Sequence, residues 1–384
     1  MMIIYLIFKM SSLKTSPKIT SVSEDGDVYK FTISGINLSF ANALRRTIIS
    51  DIPCVVIETE HYETNKCNIE VNTGRLHNEI LKQRLSCIPI HTTDLVEFPS
   101  KYVLELDAKN ETDNIMYVTT EQFRIKNKET GNYLTENETR KIFPPNANTN
   151  SYIDFARLRS KISDSIPGEE LKLTAEFSVS TAKTNSMYNM VSICSYGNTP
   201  DSVKAAEIWE EQDAKLRSDG ISAEEIEFQK KNFALLDAQR YFVPDSFDFT
   251  LQTIGVYENK ELITKACAVL QNKFIDMIQG LDADIVPILN SETTIDHCFD
   301  VILENEDYTI GKVLEYMLYE KYYQGDKSLS FCGFKKFHPH NADSTIRVAF
   351  EQKGDKSMVR QIVREACVDS QEVFKKIYRS FKPE

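Results

Sequence analysis

Several features are missing from this chain of 384 residues, and each absence excludes a class of protein. No apolar run approaches the roughly 20 residues that a membrane-spanning helix requires. A positive charge balance is also missing, since 45 Lys and Arg residues against 57 Asp and Glu residues leave a net charge of −12. Phosphate groups repel an acidic surface. We therefore expect no membrane span, and we expect any contact with DNA or RNA to be indirect.

Cysteine pairs at metal-binding spacing are missing too. The chain has eight cysteines, and none belongs to a CxxC pair. That spacing argues against a zinc cluster, and cysteines scattered through apolar segments argue against a disulfide framework. We expect reduced, mostly buried thiols in an intracellular protein, with no metal and no cofactor.

Short motifs of common enzyme classes are also absent. No GxxxxGK[ST] and no GxGxxG follows a strand, so no phosphate-binding loop is indicated. No GxSxG elbow is present, although a Ser-His-Asp set is a spatial arrangement that spacing does not test. Cys332, His338 and His340 lie close in sequence, but their spacing is wrong for a zinc finger. We predict that the chain is no enzyme by itself; a standalone enzyme is the alternative, which a turnover assay would reveal.

Period-two and helical patterns together indicate an α+β protein. Strands are predicted over Val28–Ser34, Cys54–Tyr62, Asn68–Asn72, Glu170–Ser180, Ser246–Val256, Thr294–Glu304 and Ser344–Glu351. Helices are predicted over Phe40–Ser50, around Glu79 and Arg84, over Asp201–Tyr241 with a break at Asp219 and Gly220, from Ile263 to Gly280, from Asp307, and from Met358 to Phe381. The two halves of the chain thus repeat one plan of strand, helix, strand and long helix.

The helix at Phe40–Ser50 is the most informative stretch. Its inward stripe consists of Phe40, Ala43, Leu44, Thr47 and Ile48. Asn37 or Ser39 can cap its start, because either side chain can accept a hydrogen bond from an unpaired backbone N–H. Neighbouring helical residues diverge by about 100°, so Arg45 and Arg46 cannot both enter one core. At least one of them faces solvent or a partner; a solvated helix edge is the alternative reading.

This helix and the stretch Asn72–Ile90 together resemble the alpha-like subunits of cellular RNA polymerases. These are bacterial alpha, the archaeal D subunit and the third subunit of eukaryotic RNA polymerase II. The family pattern is close to DE-x-x-x-HRLGLIPL. Asn78 and Glu79 stand in place of its acidic pair, and its matching positions are Arg84, Leu85, Ile88 and Pro89, whereas Gln83, Ser86 and Cys87 depart from it.

The second half resembles the partner of that subunit, which is the eleventh subunit of eukaryotic RNA polymerase II or archaeal L. Its family motifs are DHTIGN and GYK-x-PHP. They are matched here by Asp307, Thr309, Ile310, Gly311, Gly333, Lys335, His338 and Pro339, with Tyr308 and Lys312 as departures.

The resemblance implies two dimerisation modules, each an antiparallel sheet with packed helices, that form a pseudo-heterodimer within one chain. The first module comprises residues 19–90 and 168–285, including a polar helical segment at 201–241. A β-rich lobe at 91–167 is inserted into it, and the second module comprises residues 286–384. Family members often bind zinc or an iron–sulfur cluster in that lobe, but this chain has no cysteine between Cys87 and Cys194. We therefore expect the metal site to be absent.

The resemblance also implies site residues and partners. The residues expected to contact the beta-like large subunit are Asn42, Arg45, Arg46, Glu79 and Arg84. The core of the pseudo-dimer is expected to contain Phe40, Leu44, Ile48, Ile310, Val313, Leu314, Met317 and Leu318. The implied function is a non-catalytic assembly scaffold that also meets the beta-prime-like subunit and small zinc-binding subunits.

Fused chains of this kind resemble those of large DNA viruses, which places the expected location in host cytoplasm and virion; otherwise the nucleus is expected. An independent protein-binding module with the same fold is the alternative function.

The apolar start, Met1–Met10, is either a short strand or tail, or a product of a start codon assigned too early, with Met10 as the initiator. We favour the second interpretation.

Overall fold

The structure is a computed structural model that describes residues 15–163 and 165–382. The two interpretations of Met1–Met10 therefore lie outside the described residues. The strands are β1 (Lys18–Asp25), β2 (Val28–Ser34), β3 (Cys54–Val56), β4 (Cys67–Asn72), β5 (Tyr102–Lys109), β6 (Met116–Thr119), β7 (Arg124–Asn127), β8 (Asp154–Leu158), β9 (Glu170–Glu176), β10 (Ser178–Ser180), β11 (Val191–Pro200), β12 (Phe242–Thr253), β13 (Ile288–Asn290), β14 (Cys298–Leu303), β15 (Leu329–Lys335) and β16 (Ser344–Phe350).

The helices alternate with these strands. They are α1 (Leu38–Ser50), α2 (Asn78–Ser86), α3 (Glu97–Lys101), α4 (Glu136–Ile142), α5 (Ser202–Ser218), α6 (Ala223–Leu235), α7 (Asn259–Asp282), α8 (Tyr308–Leu318) and α9 (Lys356–Phe381). A π-helical turn, Tyr319–Gly325, follows α8 directly. The mixture of antiparallel pairs and helices agrees with the α+β class predicted from the sequence.

The chain forms two compact units. The first contains the described residues up to Thr47, then Ile193–Gln252, and everything described from Ile263 onward. The second contains Ile48–Ser192 and Thr253–Leu262.

Two four-stranded sheets of equivalent order lie in the first unit. One has the order β1-β2-β12-β11, and the other has the order β13-β14-β16-β15. In each, an antiparallel pair precedes a helix, α1 or α8, and a second pair precedes a long helix, α7 or α9. The central ladders are also equivalent, because β2 pairs with β12 as β14 pairs with β16. The repeated plan predicted from the sequence is confirmed at the level of these elements.

Aromatic side chains connect the early and late parts of this unit. On α9, the ring of Phe381 lies 5.0 Å from that of Phe31 on β2. The ring of Phe374, also on α9, lies 5.3 Å from Phe40 on α1 and 6.1 Å from Phe274 on α7. All five rings are fully or almost fully buried, and each large aromatic group removed from water contributes roughly 1.5–3 kcal/mol.

The second unit is built on the sheet β4-β9-β5-β7, with the shorter pairs β3–β10 and β6–β8. Apolar residues alternate along its central strands, so that Leu104 and Leu106 on β5 and Leu173 on β9 are buried. The aromatic cluster of this unit contains Phe123, whose ring lies 5.3 Å from Phe143 and 5.5 Å from Phe155.

The β-rich lobe predicted at 91–167 is not confirmed as a separate body. Strand β5 lies inside those bounds, yet it pairs with β9 outside them in a seven-residue register that includes Leu106 opposite Leu173. Strand β9 in turn pairs with β4. The lobe therefore shares a sheet and an apolar core with the chain on either side of it.

Some predicted element boundaries are wrong, and the backbone explains them. The strand expected from Thr294 begins only at Cys298, because His297 before it is left-handed with φ 54°. The helix expected to end at Gly280 continues to Asp282, and the left-handed residue is Asp284. The strand expected over Cys54–Tyr62 ends at Val56, since its partner β10 is only three residues long.

The boundary expected between the two modules, at residue 285, is followed within three residues by the edge strand β13, which pairs with β14. All eight cysteines are free, and six are buried; Cys87 is exposed and Cys332 is intermediate. No helix in the described ranges has both the length and the apolarity to span a bilayer.

Candidate assembly site on two capped helices

Helix α1 is shaped by its cap and by its apolar stripe. The Oδ1 of Asn37 accepts a hydrogen bond from the backbone N–H of Ser39 at 2.9 Å, which decides between the two predicted caps. The stripe residues of α1 are all at most 1% exposed, which confirms the predicted inward face; they are Phe40, Ala43, Leu44, Thr47 and Ile48.

Helix α8 is capped in the same way. The Oδ1 of Asp307 accepts a hydrogen bond from the backbone N–H of Thr309 at 2.8 Å, two residues later as in α1. The predicted apolar residues of α8 are also at most 1% exposed; they are Ile310, Val313, Leu314, Met317 and Leu318. Aligning the two caps makes Arg45 equivalent to Glu315 and Arg46 equivalent to Tyr316.

Arg46 links α1 to the first turn of α8. Its Nη2 lies 2.7 Å from Oδ2 of Asp307, and its Nε donates to Oγ1 of Thr309 at 2.9 Å. The two charged side chains are 34% and 28% exposed, so water screens them only in part. Partial burial raises the pKa of Asp307, but the hydrogen bonds from Thr309 and the charge of Arg46 outweigh it and hold that pKa below its ordinary value.

The opposite contact is made by Tyr316, the position on α8 that is equivalent to Arg46. Its ring meets the ring of Phe40 edge to face, with centroids 6.1 Å apart. Each helix therefore sends the same position of its sequence toward the first turn of the other.

Arg45 lies on a different side of α1 from Arg46. Its Nε and Nη2 lie 3.2 and 3.0 Å from Oδ1 of Asn42, one turn earlier. Burial raises the pKa values of Cys194 and Tyr196 on β11, and the nearby charge of Arg45 opposes both shifts. The half-buried guanidinium is thus held beside β11 by a neutral neighbour and not by a carboxylate.

The equivalent pair on α8 is charged. Lys312 Nζ lies 2.5 Å from Oε2 of Glu315, and Oε1 of Glu315 accepts the backbone N–H of Phe334 on β15 at 3.0 Å. Helix α1 therefore presents an arginine at the position where α8 presents a carboxylate, so the two equivalent positions differ in charge.

Glu79 and Arg84 belong to α2, in the second unit. Glu79 is exposed in the first turn, where a negative charge interacts favourably with the helix dipole and stabilises the helix. Arg84 donates from Nε to the carbonyl of Phe155 at 2.8 Å and from Nη2 to the carbonyl of Asp154 at 2.5 Å. The structure therefore brings Asn42 and Arg45 together, whereas Arg46 and Arg84 are each bonded within their own unit.

Sequence reasoning missed the roles of Arg46, Thr309 and Tyr316. A helix was predicted to start at Asp307, and Arg46 was predicted to diverge from Arg45, so both ends of the ion pair carried a local signal. What the sequence did not supply was the pairing of α1 with α8.

A metal centre does not fit the residues of the second unit. No group of three His, Cys, Asp or Glu side chains in the described part of the chain is arranged to hold a metal ion. The donor chemistry is unsuitable as well, because the stretch between Cys87 and Cys194 has no cysteine. Buried aromatic and aliphatic side chains fill the centre of this unit.

Comparison with known proteins agrees with the motifs. The family model described as the RNA polymerase Rpb3/Rpb11 dimerisation domain matches residues 30–274. DNA-directed RNA polymerase subunit Rpo3 of Pyrococcus furiosus is 26% identical over 274 residues, which cover 66% of this chain and 94% of that protein.

Eukaryotic relatives match as well. DNA-directed RNA polymerase II subunit RPB3 of Schizosaccharomyces pombe is 22% identical over 261 residues, covering 66% of this chain and 84% of that protein. The rpac1 subunit of RNA polymerases I and III from Dictyostelium discoideum is 36% identical over 105 residues, which are 27% of each chain. With the family match spanning more than half of its residues, this chain belongs to the RNA polymerase Rpb3/Rpb11 dimerisation domain family.

Proposed function

We propose that this chain is an assembly subunit of a multisubunit DNA-directed RNA polymerase. By itself it is a structural subunit and not a catalyst, as its homology to Rpo3 and RPB3 subunits supports. The observation that carries the proposal is the family match together with the cross-helix contact of Arg46 with Asp307.

The finer proposal is that the chain is an intrachain pseudo-heterodimer of a D-like and an L-like module. Residues 275–384 lie beyond the family match, so the L-like assignment rests on the motifs around Asp307 and Gly333. Three observations support it: the equivalent sheets, the equivalent caps, and the reciprocal contacts of Arg46 and Tyr316. A short tether holds such modules at an effective concentration of order mM, so their association no longer depends on expression level.

We further propose that the beta-like large subunit binds the α1 face at Asn42 and Arg45. A guanidinium has five N–H donors in a planar fork, and Asn42 occupies only part of them. The remaining donors can bind a partner carboxylate in a bidentate manner. Arg46 is a weaker candidate, because Asp307 and Thr309 already occupy its inner edge.

We also propose further partners and a location for the chain. A beta-prime-like subunit and small zinc-binding subunits would join the same assembly, with nucleic acid contacted only through it. A fused chain of this type fits a large DNA virus, which would place the protein in host cytoplasm and in the virion.

Affinity purification of the tagged chain from its native cells, followed by mass spectrometry, tests the proposal. We expect both large polymerase subunits in stoichiometric amounts with the tagged chain. Recovery of an unrelated partner without polymerase subunits would instead favour an independent protein-binding module. Turnover by the purified chain alone would favour a standalone enzyme.

A further inference from the structure

The segment inserted between β11 and β12 leaves an apolar groove that the proposed assembly role does not use. Helices α5 and α6 are joined by Asp219–Ser222 and border an open groove of about 1150 Å³. The aromatic rings of Trp209 and Phe233 line it, with centroids 5.4 Å apart. That volume exceeds what most small-molecule pockets offer, which is about 300–1,000 Å³.

These helices bury little apolar surface within the chain. Helix α5 has 17 residues and no buried one, and α6 buries only Ile226 and Phe233. Helices of this length gain most of their stability from packing an apolar face against a neighbour. The groove itself keeps apolar side chains open to a ligand, since Ala205, Ala206 and Trp209 on α5 line it and none of them is fully buried. Other large apolar side chains of the segment are strongly exposed but lie outside the groove: Val203 at 68%, Phe228 at 65%, Leu235 at 70% and Leu236 at 62%.

The charged side chains that line the groove indicate which kind of partner it can bind. The groove is lined by four carboxylates, Asp201, Glu210, Asp213 and Glu227, against two cations, Arg217 and Lys230. Two of these carboxylates are already in ion pairs: Arg217 Nε lies 2.7 Å from Asp213 Oδ2, and Lys231 Nζ lies 3.0 Å from Oε1 of Glu227. Asp201 and Glu210 then remain against Lys230. Across residues 201–241 the chain carries ten acidic and six basic side chains. A second copy would bring the same negative charge and be repelled.

We propose that this groove binds an amphipathic helix of another protein, with apolar anchors at i, i+3, i+4 and i+7 and Lys or Arg along its flanks. The apolar anchors fill the space beside Trp209 and Phe233, and the basic flanks meet Asp201 and Glu210. The helix completes a three-helix bundle with α5 and α6, which is the common way for a peptide helix to enter a groove.

The single tryptophan of the chain makes the test specific, since Trp209 lies in the groove. The full-length chain is titrated with two synthetic helical peptides of about 18 residues, or five turns. Both peptides carry the same leucine stripe; one has lysine and the other glutamate at the remaining positions. We expect a saturable blue shift of Trp209 emission with the lysine peptide and none with the glutamate peptide.

Two matched variants distinguish the effect of a charge inside the groove from the effect of the net charge of the chain. Glu210→Lys and Glu211→Lys are exposed neighbours on α5 and change the net charge equally, but only Glu210 lines the groove. We expect Glu210→Lys to weaken binding of the lysine peptide about tenfold, and Glu211→Lys to change it less than twofold. Circular dichroism checks that both variants remain folded.

Several results would overturn the proposal. Equal weakening by both variants would show that overall charge drives binding, and an unchanged Trp209 spectrum would exclude the groove as the binding site. If the chain itself forms a dimer as its concentration rises, and Trp209 emission shifts without peptide, the groove binds a second copy. A shift produced by deleting residues 1–14 would assign it to the chain itself. No polymerase subunit takes part in this experiment, so its result does not depend on the assembly role.

Discussion

Nη2 of Arg46 lies 2.7 Å from Oδ2 of Asp307, although 261 positions separate the two residues in sequence. Asp307 caps the first turn of α8 with its other carboxylate oxygen, so one side chain both caps α8 and binds α1. This double use makes the ion pair the most direct test of how the two helices are held.

A double-mutant cycle of Arg46→Ala and Asp307→Ala should show a coupling free energy of about 1 kcal/mol. Both side chains are about one third exposed, so we expect less than for a fully buried pair. Asp307→Ala alone should cost about 1 kcal/mol more than Arg46→Ala, because it also removes a helix cap. Urea unfolding of the four proteins measures these terms, and additive single changes would show that the ion pair contributes nothing.

Acid should weaken the same contact. The pKa of Asp307 is lowered from its ordinary value of 3.8, so the folded protein binds this proton less tightly than the unfolded chain does. Its stabilising contribution is therefore complete above about pH 5 and is lost as the pH falls through the lowered pKa. Wild type and Asp307→Asn should differ most near neutral pH and converge toward pH 2. A difference in unfolding free energy that stays constant across this range would contradict the assignment.

The cores of α1 and α8 should respond alike to truncation. Leu44→Ala and Leu314→Ala each remove a side chain that is 0% exposed, so each should cost about 2–5 kcal/mol. Leu44→Asp and Leu314→Asp bury a charge and should abolish cooperative folding. Thermal unfolding measures the first pair. Soluble expression with a normal melting transition in either aspartate variant would count against the packing described here.

Gly311 on α8 should be intolerant of a side chain. A Cβ at this position would overlap the ring of Phe334 on β15, which must move to admit it. We expect Gly311→Ala to cost about 1–3 kcal/mol, as overpacked sites do. Gly197→Ala is the matched control, because nothing lies within 4 Å of a Cβ there. Equal melting temperatures for both variants would show that the space beside α8 is larger than described.

Arg45→Ala should leave folding intact and weaken capture of the beta-like subunit, if the proposed contact holds. Within the described residues the guanidinium is hydrogen-bonded to the neutral side chain of Asn42. Its removal therefore leaves no carboxylate without a partner. Co-purification from cells expressing wild type, Arg45→Ala or the exposed control Arg379→Ala provides the comparison. Recovery of the beta-like subunit at wild-type level with Arg45→Ala would refute the proposed role.

Local patterns carried a large part of the fold. The stripe of α1, the cap at Asp307 and the alternating strands β2 and β16 depend on residues close together in sequence, so periodicity and capping rules find them. Predicted boundaries failed where one residue adopts a left-handed backbone, as His297 and Asp284 do, because side-chain periodicity does not report on φ.

The sequence by itself determined the main helices α1, α7, α8 and α9, the strands β2, β12, β14 and β16 apart from their exact ends, the family motifs and the pair of arginines that must diverge. Only the tertiary structure decided that Arg46 binds Asp307, that Arg84 binds the carbonyls of Asp154 and Phe155, and that β5 joins the sheet of β4 and β9. The physical reason is the same in each case. These contacts join residues tens to hundreds of positions apart, and which distant groups meet is set by the packing of whole elements and not by any local pattern.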